Sequence, residues 1–569
     1  MRQEICSLVE FAVMALPEMA DQTPVKFSVD YPANAKFGDY STNVAMILAK
    51  KLKTNPLELA QKICDRISGN AMFEKIEVAA PGFLNFYLSK QYLAESLARI
   101  EQPDELMDKS KILVEYFQPN IAKPLHIGHL RTALIGDAIT RGLKYLGYNV
   151  ESDTHMGDWG TQFGLLILAY KKYGNMDELK KDPVTVLNQY YIKINADVMT
   201  DPSIHEAGKQ EFAKLEQGDE ENRKIWKMFV DWSMEKFLTI NDMMDILPFD
   251  HHWPESFYEI KMPAIVGEMK EKGILVESQG AWIVNLEDKG LGIAVIVKSD
   301  GSTTYLLRDL ATFRFRKEQG FAKQLYVVDS RQSHHYRQLF QIMKIMGDMK
   351  VDEEAMHIDY GFISFKGESL STRKGNMVLV DDVIKTAEEK VAKIIAEKNP
   401  ELENKAEVIN TIAKGALKYY DLSHNRRSDI DFDWDEALNF DGNTGPYLQY
   451  TYARLSSILR KAGEDGQDLA DKISNSAGSA MSETEHRLAA DLIKLPEIVT
   501  DSMRDYLPNA LANYLYSTAD LANRFYHESP VAAETDLAKK ELRIALVKKT
   551  RKVLAQGLNL LGIKVLEQM

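Results

Sequence analysis

The chain has 569 residues, of which 45% are hydrophobic and 27% are charged, and its formal net charge is −14. This length predicts about three domains, and the acidic balance argues against indiscriminate binding to nucleic acid, although a local basic patch can still attract RNA. The sequence contains only Cys6 and Cys64 and no long apolar run, and its first residues predict an amphipathic helix in preference to a signal peptide. We therefore expect a cytoplasmic protein without a membrane segment, a disulfide framework or protein-bound zinc.

Residues 1–108 are predicted to form a unit of helices and short strands. Apolar residues recur at helical spacing after position 41, and Pro56 suits the first turn of a second helix. Residues 76–89 predict two strands on either side of a Pro-Gly turn. Phe86, beside Asn85, could stack on an unpaired base, but core packing explains the aromatic ring at least as well.

The next segment combines a strand, a loop and the start of a helix. An apolar run at 112–117, interrupted only by Glu115, predicts a buried parallel strand. Pro119 and Pro124 then predict a non-helical loop, because proline fixes φ and lacks a backbone donor. A helical apolar pattern begins after His-Ile-Gly-His at 126–129, so two imidazoles lie where the strand's carboxyl end leads into a helix.

This placement favours a nucleotide site. A helix N-terminus offers unpaired N–H groups and partial positive charge to a phosphate. His126 and His129 can donate to phosphate oxygens, and Gly128 removes a side chain where a planar ring could approach. The alternative is a plain joint with surface histidines, which a four-residue motif alone does not exclude. The strand before the motif and the helix after it favour the nucleotide.

The string PNIAKPLHIGHLR at 119–131 resembles the ATP-binding signature of class I aminoacyl-tRNA synthetases, in the form found in arginyl-tRNA synthetases. The resemblance extends along the whole chain. It implies an α/β fold with a Rossmann-like catalytic core at 109–385, interrupted by a helical insertion at about 185–295. It also implies an N-terminal α+β domain at 1–108 that contacts tRNA, and an all-α helical bundle at 386–569 that binds the anticodon.

A second strand-to-helix joint is expected at HMGDWGTQFG, residues 155–164. Gly157 could let the backbone approach ATP, and Asp158 could cap the next helix or contact the nucleotide. A tight turn with Trp159 in the core is an equally good interpretation.

Three residues indicate a binding site for a guanidinium group. Tyr305 and Asp309 are four residues apart and would share one face of a helix. A phenol and a carboxylate on one wall suit a planar cation with several donors. Glu115 adds a carboxylate inside an apolar strand, where such a group is usually functional or paired. The alternative is an internal salt bridge from Glu115 to Arg308 or Arg131.

The resemblance to arginyl-tRNA synthetases gives this acidic set a role. It implies that the set holds the substrate L-arginine, together with the asparagine of the PN pair and a glutamine that follows a later strand. The residues at the matching positions are Glu115, Asn120, Tyr305, Asp309 and Gln332.

A later polar loop occupies the place of KMSKS, the second class I signature. The aligned pentapeptide reads SLSTR and lacks both lysines. The resemblance implies that this loop stabilises the ATP phosphates through Ser371, Thr372 and Arg373. The missing charge could come from Arg373, Lys374 or Lys123, and the sequence leaves these alternatives open.

Residues 386–569 are helical by pattern and rich in tyrosine. Tyrosine at this density is usually core, although exposed rings beside arginine or lysine can stack on bases. GNTGPYLQYTYAR, which begins at Gly442, is similar to the anticodon-domain signature of arginyl-tRNA synthetases. The resemblance implies tRNA contacts at Asn85, Phe86, Tyr450, Tyr526 and Met569.

The resemblance predicts the arginine–tRNA ligase activity of that family, in a monomer. L-arginine and ATP, with Mg2+, would form arginyl-adenylate, and the arginyl group would then pass to the 3'-terminal adenosine of arginine tRNA. His126 and His129 would stabilise developing charge, and neither need act as a base.

Three rival interpretations are weighed against this one. A smaller nucleotidylyltransferase would not need the long helical C-terminus. A non-catalytic RNA-binding protein related to synthetases should have lost the histidines or the carboxylates, which this chain keeps. A synthetase for another amino acid would not need the acidic set of Glu115, Tyr305 and Asp309.

Overall fold

The N-terminal region is an antiparallel sheet covered by helices. The computed structural model describes residues 1–19, 23–97, 110–365, 378–464 and 481–569. The first helices are α1 (Arg2–Met14), α2 (Val44–Leu52), α3 (Pro56–Ile67) and α4 (Lys90–Leu97). The strands β1 (Val29–Asp30), β2 (Tyr40–Thr42), β3 (Phe73–Ala79) and β4 (Phe83–Leu88) lie in the order β1-β2-β4-β3. Helix α3 begins at Pro56, as predicted, with Asn55 accepting a hydrogen bond from the Leu57 N–H.

The middle of the chain alternates strands and helices. Its helices are α5 (Ile127–Tyr145), α6 (Thr161–Tyr173), α7 (Met176–Leu179), α8 (Pro183–Thr200), α9 (Ser203–Gln217), α10 (Glu220–Met243), α11 (Met262–Glu271), α12 (Tyr305–Glu318) and α13 (Ser333–Met346). Its strands are β5 (Lys111–Glu115), β6 (Asn149–Asp153), β7 (Val276–Ser278), β8 (Ala281–Asn285), β9 (Ile293–Val297), β10 (Phe321–Asp329) and β11 (Ala355–Tyr360).

A parallel sheet in the order β11-β10-β5-β6 is the centre of this region. The chain crosses from β5 through α5 to β6 on one side, whereas β10 pairs with the other side of β5. The strand order therefore reverses between β5 and β10, and ligands of open α/β sheets bind beyond the strand ends at such a point. Glu115 ends β5 there, in register with Asp153 of β6 and Tyr326 of β10. The predicted Rossmann-like core is confirmed.

The insertion into this region is not helical throughout, which corrects the prediction for 185–295. Helices α8, α9 and α10 are followed by the antiparallel sheet β7-β8-β9. Strand β9 alternates exposed and buried residues, with Ala294 and Ile296 facing inward. This period of two is a strand signal that the sequence IAVIV already contained. The highly charged helices before β9 led to a helical prediction for the whole insertion.

The C-terminal region is predominantly helical, as predicted. Its helices are α14 (Val380–Lys398), α15 (Lys405–Ser423), α16 (Trp434–Ala437), α17 (Gly445–Ala462), α18 (Glu483–Leu492), α19 (Leu495–Arg504), α20 (Pro508–Glu528) and α21 (Leu537–Leu560). A parallel pair joins β12 (Ile363–Phe365) to β13 (Ile430–Phe432). Glu497 of α19 accepts hydrogen bonds from the Arg2 N–H and the Tyr31 hydroxyl, so the N-terminal region docks on these helices. Among the described residues, no helix is long and apolar enough to cross a bilayer.

Candidate active site

The two histidines of His-Ile-Gly-His at 126–129, the HIGH motif, make hydrogen bonds within the motif at the start of α5. The Nδ1 atom of His126 accepts a hydrogen bond from the Gly128 N–H at 3.1 Å, and Nδ1 of His129 accepts one from the His126 N–H at 3.1 Å. A Cβ at Gly128 would lie only 3.0 Å from the His126 ring, so the glycine makes room for that imidazole. The two ring centroids are 3.8 Å apart.

These contacts fix the protonation of both rings. Burial lowers the pKa of His126, and the charge of Arg331 lowers it further. Burial, followed by the charges of His126 and Lys123, lowers the pKa of His129 to about 3. A neutral imidazole whose Nδ1 accepts must carry its proton on Nε2. Both rings can therefore donate an Nε2–H to a ligand at neutral pH.

Gly157 lies beside the loop that follows β5, but its missing side chain does not leave space for a nucleotide. Its N–H donates to the Pro119 carbonyl, and its own carbonyl accepts from the Ile121 N–H. A Cβ at Gly157 would stand 2.3 Å from Oδ1 of Asn120. The space is therefore filled by the Asn120 side chain, which the glycine allows to pack against the backbone.

Asp158 does not cap helix α6, which corrects that prediction. The helix begins after Gly160 without a side-chain cap. The two Asp158 oxygens instead accept from the N–H and the hydroxyl of Ser256, and burial raises the pKa of this carboxyl to about 6. Trp159 packs edge-on against Trp226. The alternative interpretation of this joint, a tight turn with its tryptophan packed inside, describes the geometry better than contact with ATP.

The acidic residues converge at the carboxyl ends of β5 and β6. A ring nitrogen of His155 lies within 4.8 Å of carboxylate oxygens of Glu115 and Asp153. The Nε2 atom of the same ring is 3.9 Å from Oδ1 of Asp309, so His155 stands between Glu115 and Asp309. We call Glu115, Asp153, His155 and Asp309 the acidic pocket. Tyr305, one turn before Asp309 on α12, is 59% exposed.

Glu115 forms an internal ion pair, but with neither of the predicted arginines. Nη1 of the fully buried Arg316 lies 2.5 Å from Oε2 of Glu115, and its Nη2 lies 2.6 Å from Oδ2 of Asp153. Arg308 pairs with two other glutamates, and Arg131 donates mainly to backbone carbonyls. The signal for Arg316 was its position seven residues after Asp309, which places both on one helix face. Glu115, Asp153 and His155 are spaced closely enough for a metal ion, but the guanidinium already pairs with both carboxylates.

His335 also contacts the acidic pocket, and, like Asp153, His155 and Arg316, it was not singled out by the sequence analysis. It lies in the first turn of α13, three residues after Gln332, and its Nε2 is 2.5 Å from Oδ2 of Asp309. Burial alone would raise the pKa of Asp309, but the hydrogen bond and charge of His335 outweigh it and lower that pKa. Burial likewise lowers the pKa of His335, but Asp309 outweighs it and raises that pKa. Gln332 itself is the residue that precedes α13, and it is exposed.

Of the predicted basic residues, the structure places Lys123. Its Nζ lies 5.6 Å from the Tyr191 ring, and its charge contributes to the low pKa of His129. Ser371, Thr372, Arg373 and Lys374 lie outside the described residues. The described chain resumes at Val378, whose carbonyl accepts from the Ile127 N–H within the HIGH motif. The segment that follows the second signature is therefore anchored beside the first.

The N-terminal sheet contains a cavity of about 400 Å³. Asn85 lines this cavity, and the aromatic rings that line it with Asn85 belong to Tyr31, Phe37 and Phe83. Phe86 does not line it: the ring is fully buried and packs on Phe73 with centroids 5.2 Å apart. Successive residues of a strand point to opposite faces, so Asn85 and Phe86 of β4 cannot both contact one ligand there.

Two predicted tRNA-contacting tyrosines lie near one arginine in the C-terminal helices. Tyr450 of α17 is 45% exposed and precedes Arg454 by one helical turn. The Arg454 guanidinium lies 4.8 Å from the ring centroid of Tyr526 on α20. The carbonyl of the last residue, Met569, accepts a 3.4 Å hydrogen bond from the Asn399 side chain.

Family models match the chain in three consecutive parts. Residues 7–88 match the arginyl tRNA synthetase N terminal domain, residues 93–434 match the catalytic domain of class I (R) tRNA synthetases, and residues 448–569 match the DALR anticodon binding domain. The catalytic match contains every residue of the pocket and both HIGH histidines. A smaller nucleotidylyltransferase is excluded by this coverage.

Curated relatives and solved structures agree with these matches. The chain is 37% identical over 553 residues to the arginine–tRNA ligase of Fusobacterium nucleatum, covering 96% of this chain and 95% of that protein. It is 39% identical over 550 residues to that of Lactococcus lactis subsp. lactis, covering 95% of each. Its fold matches the arginyl-tRNA synthetase of Thermus thermophilus with a TM-score of 0.84 and 27% identity, over all of both chains. That of Plasmodium falciparum matches with a TM-score of 0.85 and 26% identity, over 100% of this chain and 99% of that one. The chain therefore belongs to the arginyl-tRNA synthetase family of class I, as its HIGH and acidic motifs predicted.

Proposed function

We propose that the chain is an arginine–tRNA ligase that forms arginyl-adenylate from L-arginine and ATP and then charges arginine tRNA. The observation that carries this proposal is the pair of contrasting subsites at one edge of the sheet. Neutral imidazole donors stand at the start of α5, and a carboxylate pocket lies between β5, β6 and α12. A phosphate and a guanidinium are the ligands that these two chemistries suit.

The reaction would proceed in two steps. A carboxylate oxygen of L-arginine attacks the α-phosphorus of ATP, the bond from that phosphorus to the bridging oxygen breaks, and pyrophosphate leaves. The terminal ribose hydroxyl of the tRNA then attacks the arginyl carbonyl carbon, loses its proton and displaces AMP. Mg2+ carried by the phosphates supplies further charge neutralisation when it is bound.

The histidines would act as donors in the first step. The Nε2–H groups of His126 and His129 point away from the contacts that use each Nδ1, and they would bind phosphate oxygens as negative charge develops there. Because the low pKa of His129 keeps its ring neutral, it donates without attracting a counter-ion of its own. Gly128 contributes by leaving room for the His126 ring, and we propose no direct ATP contact for Gly157 or Asp158.

The pocket would recognise the two ends of the amino acid separately. The carboxylates of Glu115 and Asp309 would pair with the guanidinium, and the Tyr305 hydroxyl would close the opening. Asn120 and Gln332 carry amide groups that can both donate and accept, which suits the amino and carboxylate groups of the substrate.

Positive charge for the leaving pyrophosphate would come from the basic loop and its surroundings. Lys123 and Arg331 lie close enough to the HIGH histidines to lower their pKa values. The anchoring of Val378 beside Ile127 supports a role for the residues that precede it in the chain. The residues that we assign to the phosphates from this loop are Ser371, Thr372, Arg373 and Lys374.

The tRNA would contact both ends of a monomeric, cytoplasmic enzyme, whose domains we place at 1–108, 109–385 and 386–569. The cavity lined by Asn85 has the aromatic walls that an unpaired base requires. The exposed Tyr450 ring and the Tyr526 ring, which lies against the Arg454 guanidinium, would offer stacking surfaces for the anticodon. We assign a third tRNA contact to Met569.

Charging assays with total bacterial tRNA, ATP and Mg2+ test the proposal directly. Each of the twenty labelled amino acids is supplied in turn, and we expect label from arginine alone to enter tRNA. Charging with another amino acid would overturn the assignment of Glu115 and Asp309 while leaving the reaction class intact. Folded protein that binds tRNA and charges it with nothing would instead indicate the non-catalytic RNA-binding interpretation.

A further inference from the structure

A guanidinium that belongs to the protein is buried beside the pocket for the substrate guanidinium. Arg316 has no exposed surface, and it bridges the terminal residues of two adjacent parallel strands, Glu115 and Asp153. These carboxylates are direct neighbours in the strand register, so they would repel each other without a cation between them. Arg316 lies on α12 two helical turns after Asp309, so one helix supplies both a pocket wall and this internal cation.

The ion pair with Arg316 orients the Glu115 carboxylate and leaves part of its hydrogen-bonding capacity unused. Its Oε2 faces Arg316, and its Oε1 accepts only a 3.2 Å hydrogen bond from the Gln118 side chain within the described part of the chain. Asp153 is held from its other side by the Trp253 N–H at 3.0 Å. A carboxylate has about four acceptor positions, so Glu115 keeps capacity for a second guanidinium.

The charges of this group do not balance. Two carboxylates and one guanidinium carry one net negative charge, in a place where Glu115 is 3% exposed and Asp153 is not exposed at all. The neighbouring ring of His155 is buried too, and its Nδ1 has no hydrogen-bond partner among the described residues. An uncompensated charge in a dry site is costly unless a ligand supplies the opposite charge.

We propose that Arg316 is a positioning residue for substrate recognition, which orients Glu115 and reduces the charge of the pocket until it matches one incoming guanidinium. Asp153 contributes to the same charge balance, because it shares the Arg316 guanidinium and so keeps Arg316 from neutralising Glu115 completely. The inference rests on the proposed function. It states that Arg316 and Asp153 contribute to the affinity for L-arginine without needing to contact it.

Variants of Arg316 in the full-length enzyme test this role through the arginine KM. Arg316→Gln should raise the arginine KM roughly 30-fold or more, the scale for removing one partner of a buried charge pair. Arg316→Lys keeps the charge but cannot bridge both carboxylates with a planar fork, so it should restore only part of the loss. The ATP KM and the kcat at saturating arginine should stay within about twofold of the wild type in both variants.

Arg314→Gln is the matched control. Arg314 lies on the same helix and pairs with Glu268 and Asp348, so its loss also removes ion pairs from α12. These partners are outside the acidic pocket, and the arginine KM of this variant should not change. A rise in the arginine KM for both arginine positions would mean a general effect on α12 and would overturn the proposal.

Asp153→Asn provides a second test if the Arg316 variants do not fold. The amide keeps the shape and an acceptor for the Trp253 N–H, but it leaves Arg316 paired with Glu115 alone. The arginine KM should then rise about tenfold, because the pocket has lost its net negative charge. An arginine KM within about twofold of the wild type in a folded Asp153→Asn or Arg316→Gln variant would overturn the proposal. Failure of the wild type to charge arginine would overturn the proposed function instead.

Discussion

The two subsites of the active site are built on opposite electrostatic principles. At the HIGH motif, two neutral imidazoles are held by hydrogen bonds between residues two and three positions apart. In the acidic pocket, full charges are held by pairs between distant segments: Asp309 with His335, 26 residues apart, and Arg316 with Asp153, 163 residues apart.

This difference assigns the two subsites to different parts of the reaction. In the proposed reaction, the neutral donors would bind ATP phosphates weakly in the ground state, and their hydrogen bonds would strengthen as charge develops on the phosphorus oxygens. The buried carboxylates of the proposed arginine site would interact with the guanidinium equally before and during the reaction. We therefore expect substitutions in the pocket to raise the arginine KM, and substitutions of the HIGH histidines to lower the rate of adenylate formation.

Asp309→Asn should give the largest effect. The variant removes the charge that we assign to the substrate guanidinium, and it leaves protonated His335 without its carboxylate partner. We therefore expect kcat/KM for arginine to fall about 10³-fold, mostly through KM. Steady-state pyrophosphate exchange at varied arginine and varied ATP measures both constants. Asp348→Asn, which changes an aspartate paired with Arg314 away from the pocket, is the control. An equal rise in the ATP KM would contradict the separation of the subsites.

His129→Ala should slow adenylate formation about 10²-fold in single-turnover experiments, with little change in the arginine KM. This ring both caps α5 and offers a donor, and two further variants separate these roles. Asn at position 129 can keep the acceptor for the His126 N–H, whereas Gln can place an amide N–H near the position of Nε2. Greater activity in His129→Gln than in His129→Asn would support the donor role, and the reverse order would indicate that the cap alone matters.

The HIGH corner was predictable from sequence because its contacts are local. The strand, two prolines, the glycine and the helical pattern all lie within about twenty residues, and each one limits the backbone by itself. The residues of the acidic pocket could also be selected, since a carboxylate in an apolar strand requires an explanation. The spacing of α12 places Arg316 on the same face as Asp309, but its pairing with Glu115 could not be deduced, because the two residues lie on elements that are distant in sequence.

Asp158 shows an assignment that required the structure, whereas Phe86 shows one that the predicted strand already allowed. Aspartate before a helix commonly caps it, but here Ser256 from the insertion uses both oxygens, and local propensity carries no information about that partner. Phe86 and Asn85 are adjacent in sequence, yet the strand places them on opposite faces of the sheet. The strand assignment was itself predicted, so the separation of these two side chains could have been deduced as well.

The arginine KM should depend on pH through His335. Protonated His335 pairs with Asp309, and the substrate guanidinium competes for the same carboxylate, so arginine binding favours the neutral ring. Because Asp309 raises the pKa of His335 above its usual value, the competition extends to higher pH than for a free imidazole, and the arginine KM should fall as the pH rises through that pKa. The change should be at most about tenfold per pH unit. Kinetics between about pH 6 and pH 9 measure it.

Three variants identify which histidine causes this pH dependence. His335→Gln should flatten it, whereas His334→Gln, a neighbour on the same turn that is exposed, should leave it unchanged. His155 also lies near Asp309, and His357 lies behind the intervening Tyr336 ring. If the pH dependence were lost in His155→Gln but kept in His335→Gln, His155 would be the residue responsible, and the prediction would be contradicted.

The smallest effect is expected at the N-terminal cavity, which is far from both subsites along the chain. Asn85→Ala should raise the tRNA KM by up to about tenfold, the scale of one lost hydrogen bond to a base, without changing the arginine or ATP KM at saturating tRNA. Phe86→Leu is the paired variant: it should lower the melting temperature, because the ring is fully buried, and leave the tRNA KM unchanged. If Phe86→Leu raised the tRNA KM and Asn85→Ala did not, the base would have to bind on the other face of β4, where the structure places the core.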